Sequence, residues 1–127
     1  MSKEVKYLAA NMDIEEIRAF CLSLPFTTED VKWGNDLAFC IGKKMFTVVG
    51  LEMTENCSIS FKCTPEKFAE LVEQDGIIPA QYVARYHWVT VQKLDALNTA
   101  ELQNLIKQSY KMVWEKLPKT LQKQLNS

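Results

Sequence analysis

The chain has 127 residues, the length of one domain with a single core. Its 47% hydrophobic and 24% charged residues are typical of a globular protein, and no apolar run approaches the ~20 residues of a membrane-spanning helix. The formal net charge of −1 excludes a strongly basic protein whose overall field collects nucleic acid. The charge is uneven, because residues 98–127 carry five lysines and two glutamates, and this excess of +3 predicts a local basic surface.

The sequence predicts one domain over residues 13–118, with an N-terminal extension at 1–12 and a C-terminal tail at 119–127. The first helix begins at Asp13, whose carboxylate can accept the backbone N–H of Glu16 while the Glu16 side chain reaches back. Pro25 ends this helix near Leu24.

A β region follows the first helix. The expected strands are Val31–Trp33, Leu37–Ile41, Met45–Leu51 and Cys57–Cys63. Gly42-Lys43 joins two of them as a two-residue hairpin, for which we expect a type II′ turn because Gly stands first. The strand Cys57–Cys63 alternates apolar and polar residues, so we expect one face to be buried and the other to be exposed to solvent. Such short connections require antiparallel pairing.

The second helix starts with Thr64 as its cap and Pro65 in its first turn, and Gly76 is expected to end it. We predict a turn over Gly76–Pro79, and then a final strand over Trp88–Gln92.

The third helix is predicted to start at Asn98 or Thr99 and to end before Pro118, and the basic residues after it are expected to fray. Strands grouped together, with helices around them, indicate an α+β two-layer sandwich with an antiparallel sheet of about four to five strands.

The four cysteines, Cys21, Cys40, Cys57 and Cys63, include no C-x-x-C pair and lie inside apolar patterns. We interpret them as reduced, buried thiols and expect a cytoplasmic protein without a disulfide framework.

Six short segments together form a recognisable pattern: Trp33-Gly34, Lys44-Met45-Phe46, Lys62–Pro65, Gly76–Ala80, His87–Val91 and Ser109-Tyr110. In their order and spacing they resemble the MmcQ/YjbR family of small bacterial proteins. The resemblance covers about residues 13–117 and departs at Pro25-Phe26, where the family usually has Pro-Gly. It implies a fold similar to the frataxin/CyaY type and a DNA-binding role through a double-wing motif. It implies no enzymatic activity.

No catalytic motif stands out from the residues. His87 is the only histidine and has no sequence-visible partner, so we interpret it as a structural residue at a strand entrance rather than a general acid/base or a ligand. Cys57 and Cys63 are too far apart along one strand to share zinc. The acidic residues Asp13, Glu15 and Glu16 suit a helix N-terminus better than an iron site. We therefore predict no enzyme, no metal and no cofactor.

The functional candidate is a basic and aromatic set that would contact DNA phosphates and stack on bases. Its members are Lys32, Trp33, Lys43, Lys44, Lys62, Arg85, His87 and Trp88. One alternative is a solvated face with tryptophans in the core. Another is a small-molecule or protein-interaction pocket near His87 and Trp88, which would gain support if Trp33 and Trp88 lined an open apolar cleft. We expect no membrane partner.

Overall fold

A computed structural model of the protein describes residues 13–32, 36–50, 58–81 and 83–126. Its strands are β1 (Thr28–Lys32), β2 (Asp36–Ile41), β3 (Lys44–Gly50), β4 (Ile59–Lys62), β5 (Ile77–Pro79) and β6 (Trp88–Val91). Its helices are α1 (Ile14–Ser23), α2 (Pro65–Leu71), α3 (Thr99–Lys116) and α4 (Lys119–Asn126), with 3₁₀ turns at Ala84–Tyr86 and Leu94–Ala96. The predicted N-terminal extension and Trp33 lie outside the described residues.

The six strands of the described ranges form one open sheet in the order β1-β2-β3-β4-β6-β5, and every neighbouring pair is antiparallel. The α+β class is confirmed. The strand count exceeds the expected four to five, because the predicted turn at Gly76–Pro79 contains β5.

Three helices begin as the sequence predicts, because their caps are local interactions. The Asp13 carboxylate accepts the N–H of Glu16 at 2.8 Å, and the Asp13 N–H donates to the Glu16 carboxylate at 3.1 Å. The Thr64 hydroxyl accepts an N–H at the start of α2, and the Asn98 side chain accepts one at the start of α3. Each cap satisfies a donor that the first helical turn leaves unpaired.

The hydrophobic core lies between one face of the sheet and helices α1 and α3. The sheet supplies Phe39, Val49, Ile59, Phe61, Val89 and Val91, and the helices supply Ile17, Cys21, Leu102, Leu105 and Ile106. Because side chains alternate along a strand, the residues between them point to the other side of the sheet. Pairing aligns Ala38, Val48, Ser60, Thr90 and Ile78 across that side, which we call the open face.

The hairpin between β2 and β3 differs from the prediction. Gly42 and Lys43 have φ angles of 57° and 68°, so both are left-handed, as a type I′ turn requires and a type II′ turn does not. The type I′ twist matches the twist of the flanking strands. A Cβ on Gly42 would lie 2.9 Å from Leu117 Cδ1, so the turn also needs glycine for packing.

Gly76 does not end helix α2, contrary to the prediction. The helix ends at Leu71 with Val72 as its cap, and Gly76 lies beyond it with a φ of 90°. The Gly76 carbonyl accepts the Gln92 N–H at 2.7 Å, which joins it to the pairing of β5 with β6. Gly76 therefore positions an edge strand.

The segment after Pro118 is the helix α4, not the frayed tail that we predicted. Leu121 and Leu125 pack against the core. The Gln122 side-chain amide donates to the carbonyls of Trp114 and Leu117, at 2.8 and 3.1 Å, and so satisfies acceptors at the end of α3. Across the described ranges, none of the helices combines the length and hydrophobicity needed to cross a membrane.

Candidate functional site

The open face of the sheet carries a cavity of about 920 Å³. Its floor is formed by Val48, Ser60 and Thr90 on the central strands β3, β4 and β6. The Ser60 and Thr90 hydroxyls lie 2.8 Å apart and hydrogen-bond to each other across the pairing of β4 with β6. The floor thus combines one apolar side chain with two hydroxyls, which are partly satisfied within the protein.

Helix α3 forms one wall of the cavity because Ser109 anchors it between two strands. The Ser109 hydroxyl donates to the Phe46 carbonyl of β3 at 2.6 Å and accepts the Lys62 N–H of β4 at 3.0 Å. It stands next to the last direct pair of these strands, Thr47 with Phe61. The following turns of α3 therefore reach the open face, where Met112, Val113 and Lys116 line the cavity.

The opposite wall is aromatic. Trp88 is 9% exposed and lines the cavity beside Tyr86, which is 50% exposed. The guanidinium carbon of Arg85 lies 4.9 Å from the centre of the Tyr86 ring, in a cation–π contact. A ligand in the cavity would meet an apolar surface on Trp88 and an exposed aromatic ring on Tyr86.

The charged groups that line the cavity are three lysines, Lys44, Lys62 and Lys116, and one acid, Asp36. The ion pairs of the described residues join Arg18 to Glu29, Lys67 to Glu70 and Lys93 to Asp75, so none of them uses these lysines.

Burial lowers the pKa of the Lys62 amine, and the positive charge of Lys116 lowers it further. The cavity therefore presents excess positive charge to a mainly apolar space.

Three of the eight predicted site residues line the cavity: Lys44, Lys62 and Trp88. Lys43 is exposed at the neighbouring hairpin turn, and Arg85 approaches through its contact with Tyr86. Lys32 lies on edge strand β1 opposite Asp36, outside the cavity lining.

Trp33 is outside the described residues, so of the two tryptophans expected to line an apolar cleft, the structure describes the position of Trp88. The nucleic-acid role of all eight residues stays a prediction.

His87 faces away from the cavity lining, and its ring packs edge-on against Phe68 of α2 with centres 5.6 Å apart. Its φ of 66° is left-handed, and its carbonyl accepts the Cys63 N–H at 2.9 Å. The Cys63 thiol donates to the same carbonyl at 3.3 Å, and burial raises the pKa of that thiol to about 11. The contacts of His87 are those of a residue that shapes the entrance to β6.

The cavity residues that sequence reasoning missed include Tyr86 and Lys116. Tyr86 lies between two residues of the predicted set, Arg85 and His87, so a signal for it was present. Lys116 looks like an ordinary cation in the last turn of a helix. Only the anchoring of α3 by Ser109 brings it to the sheet.

Metal ligands do not cluster in the described part of the chain, where no group of three or more His, Cys, Asp or Glu residues could hold an ion.

Comparison with known proteins agrees with this architecture. A family model described as YjbR matches residues 22–112. A crystal structure of a Deinococcus radiodurans protein with a DUF419 domain superimposes with a TM-score of 0.78 at 25% identity, over 89% of this chain and 87% of that one. A crystal structure from Pseudomonas syringae has a TM-score of 0.66 at 22% identity, over 80% of this chain and 98% of that one. Among curated proteins, none matches the chain significantly.

Proposed function

The chain belongs to the YjbR family, and we propose that it is a non-enzymatic binding protein whose ligand is an organic anion held in the cavity of the open face. The observation that carries this proposal is the set of Lys44, Lys62 and Lys116 around a mainly apolar space, with no ion pair recorded for them in the described ranges. The free buried thiols Cys21, Cys40 and Cys63 suit a reducing compartment, so we place this activity in the cytoplasm.

The size and the walls of the cavity support a small ligand. Its volume of about 920 Å³ falls within the ~300–1,000 Å³ typical of small-molecule sites. Val48, Trp88 and Val113 would cover the apolar body of the ligand. An acidic group on that ligand would form charge-assisted hydrogen bonds with the lysine amines, which are stronger than neutral ones. The ligand class is therefore a carboxylate, phosphate or sulfonate on a flat or apolar frame.

A titration with 1-anilinonaphthalene-8-sulfonate tests the proposal, because this fluorescent probe joins an apolar frame to an anion. We expect saturable binding to the folded protein that weakens as salt rises. The double variant Lys44→Gln/Lys116→Gln should lose about tenfold in affinity, since two charged contacts of about 0.7 kcal/mol each at an exposed rim sum to about 1.4 kcal/mol. The aromatic wall, with Trp88 unchanged, would then account for the residual binding.

The matched control is Lys107→Gln/Lys111→Gln, which removes the same charge from exposed positions of α3 outside the cavity. It should bind the probe almost as the wild type does. An equal loss of affinity in both double variants would mean that net charge alone governs binding, and would contradict a built site.

DNA is the second candidate ligand, supported by the hairpin and the aromatic rim. Lys43 and Lys44 are exposed at the hairpin end of the cavity, and Tyr86 with its stacked Arg85 is exposed across from them. Cations on a groove beside an exposed ring are the elements that bind nucleic-acid strands through phosphates and stacking.

Fluorescence anisotropy with labelled duplex and single-stranded oligonucleotides tests DNA binding. The affinity should fall linearly with the logarithm of salt concentration. Lys43→Gln should weaken it without changing affinity for the small aromatic anion, because Lys43 lies outside the cavity lining. Absence of binding at low salt would eliminate this candidate.

A further inference from the structure

Lys62 differs from the other cavity lysines in how firmly the fold holds it. It is the last residue of β4, where its register partner is Trp88 of β6. Its backbone N–H is bound by the Ser109 hydroxyl, so its main chain is attached to both the sheet and α3. Its side chain is half-buried, whereas Lys44 and Lys116 are exposed. The Lys62 backbone is therefore held at a defined place in the cavity wall, and its side chain is partly covered.

Burial, together with the charge of Lys116, favours the neutral form of the Lys62 amine. Lys116 on α3 and Lys44 on β3 are cationic, and the acid on the lining is Asp36 of β2. The remaining titratable group that lines the cavity is the phenol of Tyr86. Burial and the Lys116 charge lower the pKa of the Lys62 amine, which raises its neutral, nucleophilic fraction near neutral pH.

Two other lysines of the described residues lie in ion pairs. Lys67 Nζ lies 3.0 Å from a Glu70 carboxylate oxygen, and Lys93 Nζ lies 3.2 Å from one of Asp75. Neither of these lysines lines the cavity of the open face. Within the described residues, Lys62 combines partial burial, a cationic neighbour and a place on a cavity wall.

We propose that Lys62 forms a Schiff base with an aldehyde or ketone group of an organic anion in the open-face cavity. This inference rests on the proposed binding of organic anions. Lys44 and Lys116 would hold the acidic group of the ligand while the Lys62 nitrogen attacks its carbonyl carbon. A C–N double bond replaces the C–O double bond, and the oxygen leaves as water with the two hydrogens that the amine nitrogen gives up. No oxidant or reductant is consumed, and hydrolysis releases the ligand.

Pyridoxal 5′-phosphate is a suitable probe because it combines a phosphate, a flat ring and an aldehyde. After incubation with the folded protein, borohydride reduces any imine to a stable amine, and peptide mass spectrometry locates it. We expect the label mainly on Lys62, several-fold above the exposed Lys107. Lys62→Arg should abolish that label, because the guanidinium of arginine stays protonated and does not form the imine.

A second measurement separates amine reactivity from anion binding. Reductive methylation with formaldehyde uses a neutral aldehyde, so its rate reports the nucleophilicity of each amine directly. Lys62 should react at lower pH than Lys107, and Lys116→Gln should move the Lys62 profile toward higher pH.

Displacement of the sulfonate by pyridoxal phosphate, with label only on exposed lysines, would overturn the Schiff base and leave the proposed function standing. Identical pH profiles of reductive methylation at Lys62 and Lys107 would also overturn the proposed Schiff base. Failure of pyridoxal phosphate to displace the sulfonate, with no label on Lys62, would overturn it as well.

Discussion

Ser109 has an outsized structural role for one small side chain. It is fully buried, and its hydroxyl both donates to the Phe46 carbonyl and accepts the Lys62 N–H. Both backbone groups lie where the direct pairing of β3 with β4 stops. Without the hydroxyl they would be buried and unpaired, and the free-energy cost of such groups is larger than the net gain from an ordinary hydrogen bond.

We expect Ser109→Ala to lower the free energy of unfolding by about 1–3 kcal/mol, as measured by urea denaturation, because it leaves a buried donor and acceptor without a partner. The control is Ser23→Ala, since Ser23 is exposed and bonds only to the Phe20 carbonyl. That variant should change stability by less than about 0.5 kcal/mol. Equal effects of the two substitutions would show that Ser109 does not stabilise the junction of α3 with the sheet.

Helix α4 shows how packing stabilises a segment that is too short to be helical alone. Its eight residues are polar on average, and isolated helices shorter than about 12–15 residues are marginal in water. One side of the helix nevertheless carries Leu121 and Leu125, which pack against the core. Leu121 Cδ2 would lie 3.0 Å from a Cβ on Gly42, so the helix reaches the β2–β3 hairpin.

Leu121→Ala should therefore destabilise the protein by about 1–2 kcal/mol, less than a fully buried leucine costs, because Leu121 is only partly buried. Lys123→Ala on the exposed side of α4 is the control and should be nearly neutral. Thermal and urea unfolding would measure both. Should Leu121→Ala leave the midpoint unchanged, the contact between α4 and the hairpin would contribute little to the fold.

The protein as a whole keeps its described thiols protonated inside the core. Cys21, Cys40 and Cys63 are free and buried. Burial raises the pKa of Cys21 to about 12 and that of Cys63 to about 11. Their thiolate fractions near neutral pH are small, and the thiolate is the reactive form.

Two consequences of this burial can be measured. Iodoacetamide at pH 8 should label Cys21 and Cys63 slowly in the folded protein and quickly in urea. The pKa of a thiol in the unfolded chain is near 8.5, below these folded values. As pH rises, the thiols therefore lose their protons in the unfolded chain before they do so in the folded protein. The free energy of unfolding is thus highest below pH ~8.5 and declines as the pH rises to about 11.

Urea midpoints at pH 7.5 and pH 10 would record that decline. Cys21→Val should reduce the difference between the two midpoints, because it removes the titrating group with the larger shift. A pH-independent midpoint in the wild type, or rapid labelling of folded Cys21, would contradict the buried placement.

Sequence reasoning succeeded where short-range chemistry decides structure. The helix starts at Asp13, Thr64 and Asn98 are set by side-chain oxygens three residues from their donors. The first two were predicted, and Asn98 was one of two predicted caps. Sequence reasoning failed for β5, because a three-residue segment that ends in Pro79 becomes a strand only through pairing with β6. For the candidate site it supplied Lys44, Lys62 and Trp88 as members of the basic and aromatic set, and it missed Lys116.

The amino-acid pattern was sufficient for the α+β class and the family, because periodicity, caps and turn residues act within a few positions along the chain. The cavity depended on contacts between distant segments. Ser109 anchors α3 at the end of the β3–β4 pairing, and this contact carries Lys116 to the face where Lys44 and Lys62 already lie. Such convergence follows from the packing of a helix on a twisted sheet, and this packing depends on residues that are far apart in the sequence.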